Sequence, residues 1–382
     1  FSGLEYTGKL PFKDVLMHGI VRDSQGRKMS KSLGNGIDPL MVIDKYGADA
    51  LRFTLVTGNA PGNDMRYYDE KVEASRNFAN KIWNATRFVL MNQKEELPEE
   101  LSAQELTAAD RWILSKVNTL AKEVTESLDK YDLGIAADAL EHFFWEEFCD
   151  WYIEMVKARL YKEPCADRTA AMWTLVTVLA NALKLLHPYM PFITEELYSY
   201  IRPQEETIMY ATWPKYREDW SFPQETEEVE AMKEAIRGIR NIRTQMNVPP
   251  KQKSQVIFVS EDAATRRIFE NGAEFLAPLA FASEVKVQND MAGISETAVS
   301  IPLHLATAFI PLEQLVDLEK EKSRLQKEWD RLAKEIERTA KKLENSGFVS
   351  KAPQAVVEEE RKKKAKYEAM QQQVEEQLRR LG

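Results

Sequence analysis

Between Gly26 and Asn35 the chain reads Gly-Arg-Lys-Met-Ser-Lys-Ser-Leu-Gly-Asn, which sets Lys28 and Lys31 three residues apart among hydroxyls and glycines. Lysine is a compact point charge with three rotatable donors. Two on one short loop can therefore follow a polyphosphate whose charge builds as a bond breaks. The glycines let the backbone approach an anion closely and aim its N–H groups inward. Taken alone, Lys-x-x-Lys also describes any solvated lysine pair, so the surrounding elements must carry the reading.

Residues 15–21, Val-Leu-Met-His-Gly-Ile-Val, read as a buried strand, and Asp23-Ser24-Gln25-Gly26 as the turn after it. The lysine loop then leaves a sheet edge. Beyond it Asp38 can cap a helix with Pro39 as first residue and Gly47 as stop, followed by a second helical segment over 48–56. Strand, loop and helix suit a nucleotide site at the end of an α/β sheet. Only 27 residues precede Lys28 and they hold barely one strand. The expectation is a C-terminal segment of a longer protein, with most of a catalytic sheet upstream.

At 382 residues the chain has room for two or three domains. No run of some 18 apolar residues is evident, so no membrane span is expected, and no targeting pattern opens the chain. Cys149 and Cys165 lack metal-ligand spacing and read as buried, reduced thiols of a cytosolic protein; no metal site is expected. His18, His142, His187 and His304 are scattered. The net charge of −9 argues against a generally basic nucleic-acid binder. Its distribution is uneven: residues 312–382 hold 17 Lys+Arg against 15 Asp+Glu, the remainder 35 against 46. RNA contact in the body therefore requires a concentrated face.

From about 70 to 200 long periodic segments nearly free of glycine and proline predict a helical bundle. In the first, Phe78, Ile82, Ala85 and Val89 mark the apolar face, and Asn77, Asn80, Lys81 and Asn84 another. Asn77, Lys81, Asn84 and Arg87 are candidates for RNA contact, since exposed amide, lysine and arginine groups meet phosphates and splayed bases; a solvated helix face is the competing reading. The aromatic run from Phe143 to Tyr152 reads mostly as core. A helix over 166–186 ends at His187-Pro188-Tyr189-Met190-Pro191, where two prolines enforce a turn. Residues 221–311 read as a small α/β segment: a helix over 225–246 with Arg237, Arg240 and Arg243 in a row, then strands near 255–259, 285–287, 298–301 and 307–310 and a helix over 262–271. The arginine row suits tRNA, or an ion-paired surface with Glu227, Glu228, Glu230 and Glu234.

In the tail Leu318, Leu325 and Leu332 recur every seven residues, with Trp329, Ile336 and Leu343 as the offset set. After Asn345-Ser346-Gly347 and Pro353, Tyr367, Gln371, Val374, Leu378 and Leu381 repeat the pattern. Two apolar stripes joined by a short turn predict an antiparallel coiled-coil hairpin with arms about 45 Å long. Lys341, Lys342, Lys351, Arg361, Lys362, Lys363, Lys364 and Lys366 crowd toward its far end and suit an RNA backbone.

The string from Lys28 to Ser32 resembles the KMSKS loop of class I aminoacyl-tRNA synthetases. Asn77-Phe78-Ala79-Asn80-Lys81-Ile82-Trp83-Asn84, Asp150-Trp151-Tyr152-Ile153-Glu154 with Lys157-Ala158-Arg159-Leu160, and His187-Pro188-Tyr189-Met190-Pro191-Phe192 resemble the anticodon-binding bundle of the valyl, isoleucyl and leucyl members. Gly36-Ile37-Asp38-Pro39, Gly47-Ala48-Asp49-Ala50-Leu51-Arg52-Phe53, Asn247-Val248-Pro249-Pro250 and the hairpin resemble the valyl branch of bacterial type. The fold class implied is mainly α: the end of a class I α/β catalytic domain with the KMSKS loop (1–69), an α-helical anticodon-binding bundle (70–220), a small α/β junction domain (221–311) and a coiled-coil tRNA-binding arm (312–382).

That resemblance implies ATP-dependent activation of valine and its transfer to tRNA-Val. Lys31 would contact the departing polyphosphate with Lys28 assisting, Ser30 and Ser32 shaping the loop, and Met29 beside them at the ATP. Mg2+ would arrive with ATP. For tRNA the candidates are Asn77, Lys81, Asn84, Arg87, Arg240, Arg243, Lys362 and Lys363. The segment alone is expected to be inactive, monomeric and away from membranes. Two readings compete: a sister ligase, isoleucyl above all, and a non-catalytic tRNA-binding scaffold.

Overall fold

The computed structural model describes all residues except 59–61, 95, 316–317, 345–353 and 381–382. Residues 1–230 and 231–382 form two compact units.

The first unit opens with α1 (Ser2–Thr7) and an extended segment leading to β1 (Val21–Arg22), which lies parallel to β2 (Met65–Arg66) with Val21 opposite Met65. The strand expected over 15–21 is thus reduced to its last residue plus Arg22. A strand needs paired edges and a covered face. Among the described residues it pairs with β2 and, through one isolated antiparallel bridge, Arg22 with Lys28, while Val15, Leu16, Met17 and Ile20 stay exposed. Gly19 permits a close backbone approach: a Cβ there would lie 1.8 Å from the Asn63 carbonyl oxygen.

Between the two strands come the lysine loop, α2 (Pro39–Tyr46) and α3 (Ala48–Val56). The Asp38 carboxylate accepts the Leu40 N–H at 2.9 Å, and Gly47 stops α2 by donating its N–H to the Ile43 carbonyl at 2.8 Å. These are the predicted cap and stop.

The bundle consists of α4 (Asp69–Asn92), α5 (Ala108–Asp129), α6 (Leu133–His142), α7 (Ile153–Leu160), α8 (Ala166–Leu186) and α9 (Pro191–Ile201), with Phe143–Tyr152 joining α6 to α7 as a π-helix. Its centre holds Phe78, Trp112, Phe144, Phe148 and Tyr152, and Phe78 meets Phe144 edge-on at 6.1 Å. Such tilted contacts suit the aromatic quadrupole. By length and apolarity α8 could cross a membrane, contrary to the expectation of no such segment; 83% of its apolar window is buried inside the protein, so it is the core helix of the bundle.

A long helix, α10 (Pro223–Gln245), runs from the first unit into the second. There β3 (Ser254–Val259), β4 (Ala282–Gln288), β5 (Val299–Pro302) and β6 (Thr307–Ile310) form one sheet in the order β4-β3-β6-β5. Only β3 and β4 run parallel, and the crossover they require is supplied by α11 (Ala263–Asn271) and α12 (Ala273–Leu279). Phe258 of β3 stacks on Phe269 of α11 at 4.3 Å.

The arginine row of α10 turns out to serve this unit. Arg243 is 3% exposed; its guanidinium donates to the Pro249 carbonyl at 3.1 Å and also to the Gln252 carbonyl, and lies over the Phe281 ring. Arg240 donates to the Leu279 carbonyl at 2.8 Å and faces the same ring. Arg243, expected at a tRNA-facing surface, is therefore corrected: it is buried and two of its bonds satisfy main-chain oxygens, with Nη1 donating to the Ser254 hydroxyl at 3.3 Å, whereas Arg240 is half-buried and commits its Nε–H to one.

After α13 (Leu312–Leu315), the helices α14 (Leu318–Glu344) and α15 (Gln354–Arg380) lie side by side. Lys342 of α14 reaches Glu360 of α15 at 3.7 Å, and Arg331 interacts with Tyr367, so the register runs antiparallel. Leu325, Leu332, Thr339 and Val357 are buried along the seam, with Trp329, Ile336, Leu343, Tyr367, Gln371 and Val374 half-buried. The turn at Asn345-Ser346-Gly347, Lys351, Pro353 and Leu381 lie outside the described residues.

Candidate functional site

The lysine loop is a small hydrogen-bonded frame with two exposed cations on it. Gly26, at φ 81°, closes the turn by donating its N–H to the Asp23 carbonyl at 2.8 Å. The Asp23 carboxylate, 6% exposed, accepts the Arg27 N–H and Arg27 Nε–H at 2.7 Å each, the Gln25 N–H at 3.1 Å and the Asn35 amide at 2.9 Å. Asn35 in turn accepts the Ser30 N–H at 2.9 Å and donates to the Lys28 carbonyl at 3.3 Å. Ser30 caps a single 3-10 turn, Lys31–Leu33, by accepting the Leu33 N–H, and Gly34 closes it in the left-handed region at φ 61°. Ser32 lies 3.2 Å from Ser30, oxygen to oxygen.

On this frame Lys28 and Lys31 are exposed, and neither makes an ion pair among the described residues. Met29 packs, half-buried, against the cluster of Val42, Ala50, Leu51, Tyr67 and Val72, so its side chain anchors the loop to α2, α3 and α4.

The Asn35 amide above all, helped by Arg27, holds the Asp23 carboxyl down at about 2, against an ordinary 3.8. A depressed carboxyl stabilises the folded loop fully above its unfolded value, and the contribution is lost as pH falls through the folded value. Protection of the Arg27 and Ser30 amides from hydrogen exchange, corrected for intrinsic rates, should therefore decline between about pH 4 and pH 2. In Asp23→Asn, protection should be weak throughout, because its NH2 would face other donors. A pH-independent wild-type profile would contradict this account.

The RNA candidates on α4 divide. Asn77, Asn84 and Arg87 are exposed. Lys81 instead pairs with Asp150 at 2.6 Å and lies 4.2 Å over the Trp145 ring, so reaching RNA would first require breaking that pair. On the tail Lys362 is exposed, whereas Lys363 pairs with Glu359 at 3.0 Å and Glu360 at 3.6 Å. Exposed pairs of this kind exchange readily with another anion.

Sequence reasoning passed over Trp83 and Trp145, which are 44% and 36% exposed beside this face. It also passed over a cleft of about 500 Å³ at the C-terminal end of α4, lined by Asn92, Lys94, Tyr161, Lys162 and Arg168. An exposed tryptophan within the aromatic run was the available signal; the cleft joins residues too distant in sequence to leave one. Cys149 is half-buried, with burial pushing its thiol up to about 12, while Cys165 is exposed and not buried as expected.

A cationic loop leaving a sheet edge ahead of a helical bundle is the arrangement that family models assign to class I tRNA synthetases. "tRNA synthetases class I (I, L, M and V)" matches residues 1–68, "Anticodon-binding domain of tRNA ligase" 110–258 and "Valyl tRNA synthetase tRNA binding arm" 317–382. Among curated relatives, the valine–tRNA ligase of Clostridium perfringens is 52% identical over 100% of this chain and 43% of its own length, and that of Clostridium tetani 51% over the same shares. The valine–tRNA ligase of Carboxydothermus hydrogenoformans is 47% identical over 95% of this chain and 41% of its own length. The chain belongs to the valine–tRNA ligase family, and it spans less than half the length of these relatives.

Proposed function

We propose that this chain supplies the KMSKS loop, the anticodon-binding bundle and the tRNA-binding arm of a cytoplasmic, monomeric valine–tRNA ligase. In the first step a carboxylate oxygen of valine attacks the α-phosphorus of ATP, and the bond to the bridging oxygen breaks to release pyrophosphate. In the second, the valyl-adenylate acylates the terminal adenosine of tRNA-Val and AMP leaves. Mg2+ enters with ATP as part of the substrate.

The observation that carries the reading is the pair Lys28 and Lys31, free of ion pairs among the described residues and held out by a backbone that Asp23, Asn35 and Ser30 fix. Charge placed in advance where it will develop costs little reorganisation at the moment of reaction. Lys31 meets the departing polyphosphate, Lys28 assists, and Ser30 and Ser32 set the turn between them. Loop opening and closing around ATP completes the site.

The domains follow as residues 1–69 for the end of the catalytic domain, 70–220 for the bundle, 221–311 for the junction and 312–382 for a coiled-coil arm. On the bundle Asn77, Asn84 and Arg87 face the anticodon arm directly, with Lys81 joining once its pair with Asp150 opens; on the arm Lys362 and Lys363 follow the backbone. Footprinting of tRNA-Val tests this. Protection should fall into two patches, one at the anticodon arm that survives removal of residues 312–382 and one elsewhere that disappears with them. A single patch, or one indifferent to the truncation, would count against the assignment.

A further inference from the structure

One nine-residue helix touches both the lysine loop and the bundle. On one side of α3, Ala50 and Leu51 belong to the cluster that receives Met29 and Val21. On the other, two charged side chains grip the turn between α8 and α9. The Asp49 carboxylate, 8% exposed, accepts the Ile193 N–H at 2.7 Å and the Phe192 N–H at 3.2 Å, thereby capping α9 from a different helix. Burial pushes that carboxyl above its usual range, and the two N–H donors oppose the shift. Arg52 donates to the Pro188 carbonyl at 3.0 Å and to the Tyr189 carbonyl at 3.3 Å.

Phe53, between these contacts and the core, meets Phe78 of α4 at 5.2 Å and the edge of Tyr189 at 6.3 Å. The Tyr189 hydroxyl donates to the Leu133 carbonyl at 2.9 Å, which ties the same turn to α6. Every link is a packed side chain or a hydrogen bond with both partners identified. A displacement of the bundle turn therefore has a short physical route to the loop's Met29 anchor.

We propose that Asp49 and Arg52 are positioning residues that couple occupancy of the bundle by RNA to the placement of Lys28 and Lys31. The proposal rests on the functional reading above. Neither residue touches substrate; each acts by fixing α3 against the α8–α9 turn. Misplacing a catalytic group by about 1 Å can cost about 100-fold in rate, so a small slip of α3 is enough to matter. RNA bound to the bundle should quiet the loop, and because coupling is reciprocal, ordering of the loop should tighten RNA binding by the same factor.

An isolated anticodon stem–loop of tRNA-Val is the probe, and hydrogen exchange of the peptide spanning residues 24–36 is the readout. In the unaltered protein the stem–loop should slow exchange there severalfold. In Arg52→Ala it should still bind, with a Kd weakened by no more than the severalfold share that the coupling contributes, and leave loop exchange unaffected, with Arg52→Lys intermediate because an ammonium cannot fork between two carbonyls. Asp49→Asn, which keeps size and one acceptor oxygen, provides a second variant should Arg52→Ala fail to fold, and should also weaken the response.

At the relatives' full length, Arg52→Ala should lower kcat of valine-dependent pyrophosphate exchange about tenfold with little change in KM for ATP. A merely structural role would move the melting temperature and leave the loop's response to RNA intact. Retention of that response in both variants, or its absence in the unaltered protein with stem–loop bound, overturns the coupling alone. Failure of the stem–loop to bind the unaltered protein overturns the functional reading and the coupling with it.

Discussion

Replacing Lys31 by alanine, in the enzyme at its relatives' full length, is expected to lower kcat for valine-dependent pyrophosphate exchange by roughly 100-fold, the scale seen when one donor to developing charge is removed. The Kd for tRNA-Val should stay within about twofold, because in the proposed role the lysine would contribute to a bond-breaking step and not to RNA capture. Lys28→Ala should cost less. Lys28 leads into the turn and its carbonyl is held by Asn35, whereas Lys31 opens the single 3-10 turn between the Ser30 cap and Gly34. Arginine at position 31 should rescue only in part, since its planar fork replaces a rotatable point charge. Pyrophosphate exchange and filter binding decide the matter together. Equal losses in both, or none in exchange, would remove Lys31 from the chemistry.

The loop's supporting frame was more legible than the fate of the charged residues around it, and the difference is one of sequence range. Asp38, Pro39 and Gly47 act on their own helix within a few residues, so cap, first residue and stop could be read directly. The same holds for α8, whose bounds match the expectation. Arg243 shows the opposite case. A row of arginines at threes looks identical whether it faces RNA, glutamates or a sheet, and the groups that decided it include the Pro249 and Gln252 carbonyls and the Phe281 ring across the unit.

Lys81 was claimed by Asp150, 69 residues away, which no local pattern announces. The stretch over 15–21 failed as a strand for a related reason: its apolar side chains specify burial, but pairing partners and a cover must come from elsewhere. Asp23 and Asn35 were within reach. An Asp three residues before a glycine is a turn signal whose side chain seeks N–H groups just beyond it, here the Arg27 N–H beside Lys28.

Breaking the buried ion pair at the heart of the bundle should have the largest effect on stability. The Asp110 carboxylate is 0% exposed and Arg159 is 7% exposed; they meet through two bonds, Oδ1 to Nη1 and Oδ2 to Nη2, both 2.8 Å. The remaining acceptor capacity of Asp110 is filled by the Tyr152 hydroxyl at 2.6 Å and by the Thr107 hydroxyl and N–H at 2.8 and 3.0 Å, the N–H bond completing a capping box at the start of α5 with the Asp110 N–H, which donates to the Thr107 hydroxyl at 3.4 Å. Arg159 continues to Asp167 at 2.7 Å and to the Asp167 carbonyl at 2.9 Å.

The Asp150-Trp151-Tyr152 and Lys157-Ala158-Arg159-Leu160 strings, part of the resemblance to anticodon-binding bundles, thus place Tyr152 and Arg159 in a structural network. Removing one partner strands a charge in the core. Arg159→Met should destabilise the bundle by about 3–5 kcal/mol, since the carboxylate keeps its hydroxyl donors but loses its countercharge. Asp110→Leu should cost a similar amount. The double variant should lose clearly less than the sum, because no orphaned charge remains in it. Urea unfolding followed by far-ultraviolet circular dichroism measures all three. Additive losses would mean that the two residues stabilise the bundle independently, and the network reading would then have to be given up.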